Sequence, residues 1–359
     1  MINAQNTSRE ISAEIAVSCS TSTDRAEWDY YVRAHRDGSF FHLSGWLEVA
    51  HKAYNFDGLY LTARRGDVLV GVFPLVDVRS PLLGRSLIST AFTIGGGPLA
   101  DDAIALNALL QAAEEIGVKK RVRYIECRSN FEGNDAWAVK PSTSSVFRLS
   151  LPKDEEAALK AIPKRRRADI RKAIKAASEN QFIVRHDGDP DVFYELYAAS
   201  LHRLGTPVFS RKFIYAVIEA FDAETEISAI EYKGKPVGAL VTFHYDGVAL
   251  PYYVGAARNA RAIHAFDYLY WNVMRHAVED GYTTFDFGRS RVGSGAYQYK
   301  KLWGIEPEPL SYRVKLIKAA ELPDVNANNP KFSLFSKLWP RMPLVLANNI
   351  GPLLAPNFP

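Results

Sequence analysis

A chain of 359 residues that is 47% hydrophobic, 12% aromatic and 23% charged has the make-up of a globular protein with apolar material for two cores. Disordered, collagen-like and coiled-coil architectures are excluded. With 44 Lys and Arg against 40 Asp and Glu, the net charge is only +4, so any anion site must be local. Two cysteines, Cys19 and Cys127, cannot build a disulfide framework or a Cys-based zinc site, and the eight histidines show no H-x-x-x-H spacing. A cytoplasmic protein without a metal or a tightly bound cofactor is the expectation.

In chain order, residues 1–23 read as a polar leader without the apolar core of an export signal. Helices are expected at 24–34 and 43–53. Strands follow at 59–63 and 68–78, joined through Arg64-Arg65-Gly66-Asp67, where Gly-Asp between apolar runs signals a hairpin. After the loop Gly95-Gly96-Gly97-Pro98 comes a helix at 102–116, stopped by Gly117, and a strand at 122–127. The second half repeats this grammar. Strands at 226–232, 237–244 and 248–254 turn at Lys233-Gly234-Lys235 and Asp246-Gly247, and a helix at 264–279, stopped by Gly281, leads to a strand at 283–287. Hairpin, helix, glycine and acidic strand recur in the same order, which predicts two related α/β domains, 24–150 and 151–320, with a boundary near 142–153. Residues 321–359 form an apolar, Pro-rich tail.

Three segments carry candidate chemistry. Between 164 and 175 stand seven basic residues and one acid, a local charge of +6, and Pro163 suits the first position of a helix. On that helix Lys164, Arg167, Arg171 and Lys175 align in one basic stripe, either a phosphate site or a solvated face. In Ser200-Leu201-His202-Arg203-Leu204-Gly205-Thr206-Pro207, His202 and Arg203 either rim a cleft or simply suit a helix end. The third segment is Phe285-Asp286-Phe287-Gly288-Arg289-Ser290, continuing through Gly295-Ala296-Tyr297-Gln298-Tyr299-Lys300-Lys301-Leu302-Trp303-Gly304. A strand delivers Asp286 to its carboxyl end, a common address for ligands, and glycines then let the backbone approach one. Asp-Phe-Gly alone does not make a kinase, because no histidine-arginine-aspartate catalytic loop or glycine-rich nucleotide loop with a partner lysine accompanies it.

That third segment, with Gly295-x-Tyr297-x-x-Lys300-x-x-Trp303-Gly304 and Pro309-Leu310-x-Tyr312, resembles the closing motif of FemAB-like acyltransferases. The similarity is strongest to the group associated with exosortase and PEP-CTERM exopolysaccharide systems, and Arg203-Leu204-Gly205-Thr206-Pro207 and Arg167-x-x-x-Arg171-Lys172-Ala173 extend it over residues 25–355. The resemblance implies an α/β (α+β) fold of two tandem GNAT-like acyltransferase domains with mixed sheets flanked by helices. It also implies transfer of an acyl or aminoacyl group from acyl-coenzyme A or aminoacyl-tRNA to an amine of a glycan- or peptide-linked envelope precursor, at the inner face of the cytoplasmic membrane where the acceptor is lipid-carried. A coenzyme A-dependent acetyltransferase and a non-catalytic scaffold of the same fold stand as alternatives.

The aromatic-lysine pair of the family falls on Tyr299 and Lys300. Lys300, Tyr297 and Asp286 are then the catalytic candidates; Arg203, Thr206, Tyr253, Arg289, Ser290 and Tyr299 are substrate-binding candidates; and Arg167, Arg171 and Lys175 would hold the donor phosphates. One departure counts against coenzyme A: residues 257–264 precede the central helix of the second domain without a glycine for a pyrophosphate loop. The tail, with Trp339 beside Lys337 and Arg341 and many apolar residues, is either a membrane-interface anchor or an ordinary packed arm.

Overall fold

The computed structural model describes residues 14–131, 134–322 and 338–358. The leader's end is structured. Ile15–Ser20 forms an edge strand, β1, antiparallel to β2 (Asp57–Arg65), and its Ile15 and Val17 pack on the core of the first half. Between them lie helices α1 (Arg25–Ala34) and α2 (Gly45–Tyr54). Asp24 caps α1 by accepting from the amides of Ala26 and Glu27, which satisfies two of the N–H groups a helix start leaves unpaired.

Strand β2 continues into β3 (Val68–Ser80) and β4 (Gly84–Ile88); β5 (Leu99–Ala100) pairs only with β3. Helix α3 (Ala103–Lys120) then crosses to β6 (Tyr124–Cys127), which lies parallel to β4. Gly117 does not stop α3, contrary to the expectation from its sequence. It lies inside the helix, where a Cβ would come 2.9 Å from the Ile125 side chain, so it serves close helix-sheet packing; the helix ends at Arg121, which is left-handed at φ +55°.

The second half follows the same plan. Helices α4 (Glu155–Ala161) and α5 (Lys164–Glu179) lead to β8 (Ile183–Arg185), then α6 (Pro190–Arg203) and α7 (Arg211–Ala220). Pro163 is the residue before α5 rather than its first. Strands β9 (Thr225–Tyr232), β10 (Lys235–Tyr245) and β11 (Val248–Ala256) form a meander, α8 (Ala265–Glu279) crosses over, and β12 (Thr284–Arg291) pairs parallel to β11. The recurrence read from the sequence is therefore a structural repeat, β2-β3-β4-α3-β6 against β9-β10-β11-α8-β12.

The two halves are not separated by a linker. The expected boundary falls in a strand, β7 (Ala138–Ser150), which pairs with β12 of the second half, while β13 (Glu308–Leu316), beyond the short helix α9 (Gly295–Lys301), pairs with β6 of the first. The halves thus exchange their last strands, and the 13 strands among the described residues make one sheet in the order β1-β2-β3-β4-β6-β13-β7-β12-β11-β10-β9-β8, with β5 on β3. An aromatic core seals the junction: Phe40 stacks on Phe243 at 4.5 Å between ring centres and packs on Phe221 at 4.7 Å.

The final helix, α10 (Leu344–Leu354), and its flanks pack as an arm over both halves. Trp339 is buried, His202 Nε2 lies 2.9 Å from the Met342 carbonyl, and Ser80 Oγ donates to Asn357 Oδ1 at 2.8 Å. The basic and apolar residues expected at 331–337 lie outside the described residues.

Candidate active site

In both halves the parallel pairing is brief. Only Val248 and Ala249 of β11 register with Thr284 and Phe285 of β12, after which the strands part. Beside this split, a cleft of about 340 Å³ runs between the halves. One wall comes from Gly38–His42, Gly95, Gly96, Arg128 and Ser129, the other from Arg148, Tyr245, Asp246, Leu250 and Asp286, with Val146 and Leu310 between them. Apolar walls with a few convergent polar groups are the usual make-up of a small-molecule site.

Asp286 is the buried acid of this cleft, and a β-bulge sets its position. Asp286 registers with Arg148 of β7, but Arg289 registers with Val146, so one extra residue bulges between them. Gly288 supplies the bulge at φ +67°, a conformation L side chains rarely adopt. Its amide turns back to donate to Asp286 Oδ1 at 2.7 Å, and Arg148 Nε donates to Oδ2 at 3.0 Å. Burial raises the Asp286 carboxyl above the usual range against the opposing pull of Arg148, the Gly288 amide and Lys300.

Lys300 lies behind this bulge. It is buried, and its Nζ donates to the carbonyls of Gly288 at 3.0 Å and Arg289 at 3.1 Å. Burial pushes its pKa down to about 7, with Asp286 opposing the shift and Arg289 reinforcing it. The pair expected from sequence, Asp286 and Lys300, is thus brought together around one bulge. Asp286 lines the cleft, while Lys300 holds the backbone that shapes it.

Tyr299, next to Lys300, faces another network. Its hydroxyl donates to Asp267 Oδ1 at 3.1 Å and accepts from Arg166 Nη2 at 2.8 Å; the same guanidinium donates to Asp267 at 2.8 Å. Arg166 is buried, its guanidinium 4.8 Å from the Tyr299 ring centre and 4.4 Å from that of Trp303. Asp267 stands in the first turn of α8, where the helix dipole favours an anion. This network ties the basic helix α5 to the closing motif, and Gly304 completes the fit: a Cβ there would meet the Pro163 ring at 2.6 Å.

The remaining candidates divide. In the basic stripe, Arg167 Nη2 donates to the carbonyls of Lys160 at 2.8 Å and Ile162 at 3.2 Å, which closes the end of α4, and Lys175 pairs with Glu179 at 3.5 Å. Arg171 is exposed, as is Lys164. Arg203 staples α6 to the sheet by donating to Ser200 Oγ and the Ala256 carbonyl, and Thr206 is exposed just past the helix end. Tyr297 packs its ring on Phe147 at 5.2 Å between centres. Arg289 is exposed, while the Ser290 Oγ and Tyr253 hydroxyl are buried without a hydrogen-bond partner. None of these lines the cleft.

Several cleft residues escape a reading of the sequence. His42 is buried and neutral: desolvation takes its pKa down to about 4, and its Nδ1 accepts from the Ser39 amide at 3.2 Å, which leaves the proton on Nε2. Ser129 Oγ is buried at the cleft without a partner, a group that a ligand would satisfy. Opposite Asp286 in the repeat stands Glu126 on β6, held ionised by Arg128 at 3.3 Å and Lys140 at 2.6 Å. Arg148 and Arg166 belong to the same class of omission. The first sits in a strand that reads as a boundary, and the second in a charge run whose stripe reads outward.

Residues 164–301 match the family model described as an acetyltransferase (GNAT) domain. No curated protein matches the chain by sequence. Among solved structures, FemX superposes with a TM-score of 0.65 at 15% identity, covering 90% of this chain and 100% of FemX. A tandem GNAT protein from the clavulanic acid biosynthesis pathway gives 0.56 at 12% identity, covering 87% and 100%. L-PGS from Bacillus licheniformis gives 0.51 at 15% identity, covering 82% and 93%. Residues 164–301 are thus similar to acetyltransferase (GNAT) domains, and the chain as a whole has the fold of tandem GNAT proteins.

Proposed function

We propose that this protein transfers an acyl or aminoacyl group to a primary amine in the cleft between its halves, with Asp286 as the acid-base group. The observation that carries the reading is the buried Asp286, aimed into the cleft by the Gly288 amide and Arg148. Amide formation needs a neutral amine. Its nitrogen attacks the donor's carbonyl carbon, a C–N bond forms, the proton it sheds passes to Asp286, and the donor's C–O or C–S bond breaks as Asp286 returns that proton to the departing oxygen or sulfur. A carboxyl raised by burial is a better base for this than an exposed one. Lys300, its pKa taken down to about 7 by burial, adds positive potential behind the bulge when protonated.

Aminoacyl-tRNA is the preferred donor. The resemblance of the closing motif to FemAB-like acyltransferases supports it, and so does the segment at 257–264, which offers no glycine for a pyrophosphate loop. Acetyl-coenzyme A is the second reading, favoured by the acetyltransferase description of the matched domain. The acceptor would be an amine of an envelope or exopolysaccharide precursor, in keeping with the resemblance to the PEP-CTERM-associated group. Exposed Leu344, Val345, Leu346 and Leu353 on the last helix support an acceptor carried on lipid. No helix among the described residues is long and apolar enough to cross a membrane.

The test is direct binding of purified protein to acetyl-coenzyme A and to aminoacyl-tRNA, with Asp286→Asn as companion in single-turnover transfer. Saturable micromolar binding of coenzyme A, indifferent to tRNA, overturns the preferred donor. Unchanged transfer by Asp286→Asn overturns the site.

A further inference from the structure

Strand residues alternate between the two faces of a sheet, and β10 displays this sharply. Phe243 and Tyr245 line the cleft, while His244 between them points to the opposite face, the one α8 covers. On that face four elements bring ionisable groups together. His186 follows β8, Glu226 comes from β9, His244 from β10 and His276 from α8, with Asp280 just past the helix end. His186, Glu226, His244 and His276 stand 40, 18 and 32 positions apart in succession, so no short linear spacing announces them.

Ligand atoms of His186, Glu226 and His276 all lie within 4.8 Å of one another. Glu226 Oε2 is 3.5 Å from His276 Nε2 and 3.8 Å from His244 Nε2, and His276 Nε2 is 3.6 Å from Asp280 Oδ2. These separations are too long for hydrogen bonds. They are close to the edge of a tetrahedron whose corners stand about 2.1 Å from a central zinc ion, roughly 3.4 Å. His244 has neither ring nitrogen hydrogen-bonded, although both are buried. Buried polar atoms normally have partners, and an imidazole with none beside a carboxylate has the open lone pair of a metal ligand. Supporting bonds are also in place: Ser228 Oγ donates to Glu226 Oε1 at 2.7 Å, and His186 Nε2 lies 3.0 Å from Asn272 Oδ1, which leaves His186 Nδ1, 2.8 Å from the same Glu226 oxygen, as the atom that would face the ion. Metal-ligating groups are typically oriented by such partners.

We infer that His186, Glu226 and His276, with His244 as a fourth ligand, form a binding site for a divalent transition-metal ion of the zinc class. Three imidazoles and one carboxylate select such ions over magnesium or calcium, which take oxygen ligands. The site lies on the far face of the sheet from the acyltransfer cleft, so it is structural or regulatory and independent of the function proposed above. It would clamp the edge strands β8 and β9 to α8.

Isothermal titration of the full chain with zinc chloride, after chelator treatment and dialysis, tests this. Exposed Cys19 is replaced by Ser beforehand, because a free thiol binds zinc on its own. The expected result is one ion per chain, with binding weakened at least about tenfold in Glu226→Gln and in His276→Gln. His276 is partly exposed, so its substitution leaves a folded protein even where Glu226→Gln does not. X-ray absorption of the loaded protein should show imidazole scattering. Absence of saturable binding overturns the inference, as does undiminished binding by folded His276→Gln together with His244→Phe.

Discussion

Asp286 and Arg148 are register partners on neighbouring strands, and the Arg148 Nε donates to the Asp286 carboxylate at 3.0 Å. Because β7 belongs by sequence to the first half and β12 to the second, the acid of the cleft is held by an arginine from the other repeat. Arg148 also pairs with Glu308 at the start of β13, so the exchanged strands and the candidate site share one ion-pair network.

Replacing Arg148 by Gln removes the main charge opposing the upward shift of Asp286. The carboxyl then rises further, by about one unit or more for a contact of this kind. The acidic limb of kcat/KM moves to higher pH by that amount while the plateau persists. An unmoved limb would separate Asp286 from proton transfer.

Lys300 titrates on the other side. Its folded pKa of about 7 is below the ordinary lysine value of about 10.4, so between those pH values the unfolded chain binds more protons than the folded one. Stability relative to Lys300→Met therefore rises as pH increases from about 7 to about 10, and urea denaturation at both ends of that window measures it. In activity, the ammonium is the useful form, so transfer declines as pH rises through about 7, and Lys300→Arg removes that limb.

Gly288→Ala tests the bulge. Space is available for a Cβ, whose nearest neighbour would be Leu250 at 3.8 Å, so the cost lies in the left-handed backbone at φ +67°. That cost is about 1–2 kcal/mol. If the strain is relieved by flattening the bulge, Lys300 loses its carbonyl partners and transfer falls with it. Thermal unfolding and single-turnover rates distinguish a simple strain effect from loss of the site geometry.

Arg166→Ala leaves Asp267 in the first turn of α8 without its guanidinium and opens space against Tyr299 and Trp303. Breaking a buried pair by removing one partner costs about 3–5 kcal/mol. Arg171→Ala, five residues on but exposed, should leave the melting temperature unchanged. Its effect, if the outward stripe meets a phosphate-bearing donor, should be confined to donor affinity and its salt dependence.

The elements and their repetition were legible because they depend on local patterns. Alternating apolar residues wrote β2, β3 and the β9–β11 meander, and glycine turns such as Gly66-Asp67 and Asp246-Gly247 joined them. The Asp286–Lys300 segment stood out because strand, bulge and short helix are contiguous. Gly117 misled, since a glycine that ends a helix and one that lets a helix approach a sheet look alike in one dimension. The basic run misled in part, because charge counting treats Arg166 like its neighbours, while the helix turns it inward against two aromatic rings.

What the amino-acid order determined by itself was therefore the pair of α/β repeats and the acid and lysine of the closing motif, all set by interactions spanning a few residues. Only the tertiary structure decided that β7 and β13 change places, that Arg148 and His42 meet Asp286 at one cleft, and that three histidines surround Glu226 on the opposite face. Those juxtapositions join residues tens to hundreds of positions apart. They follow from which sheet edges pair and which faces are buried, a competition among long-range contacts that local periodicity does not record.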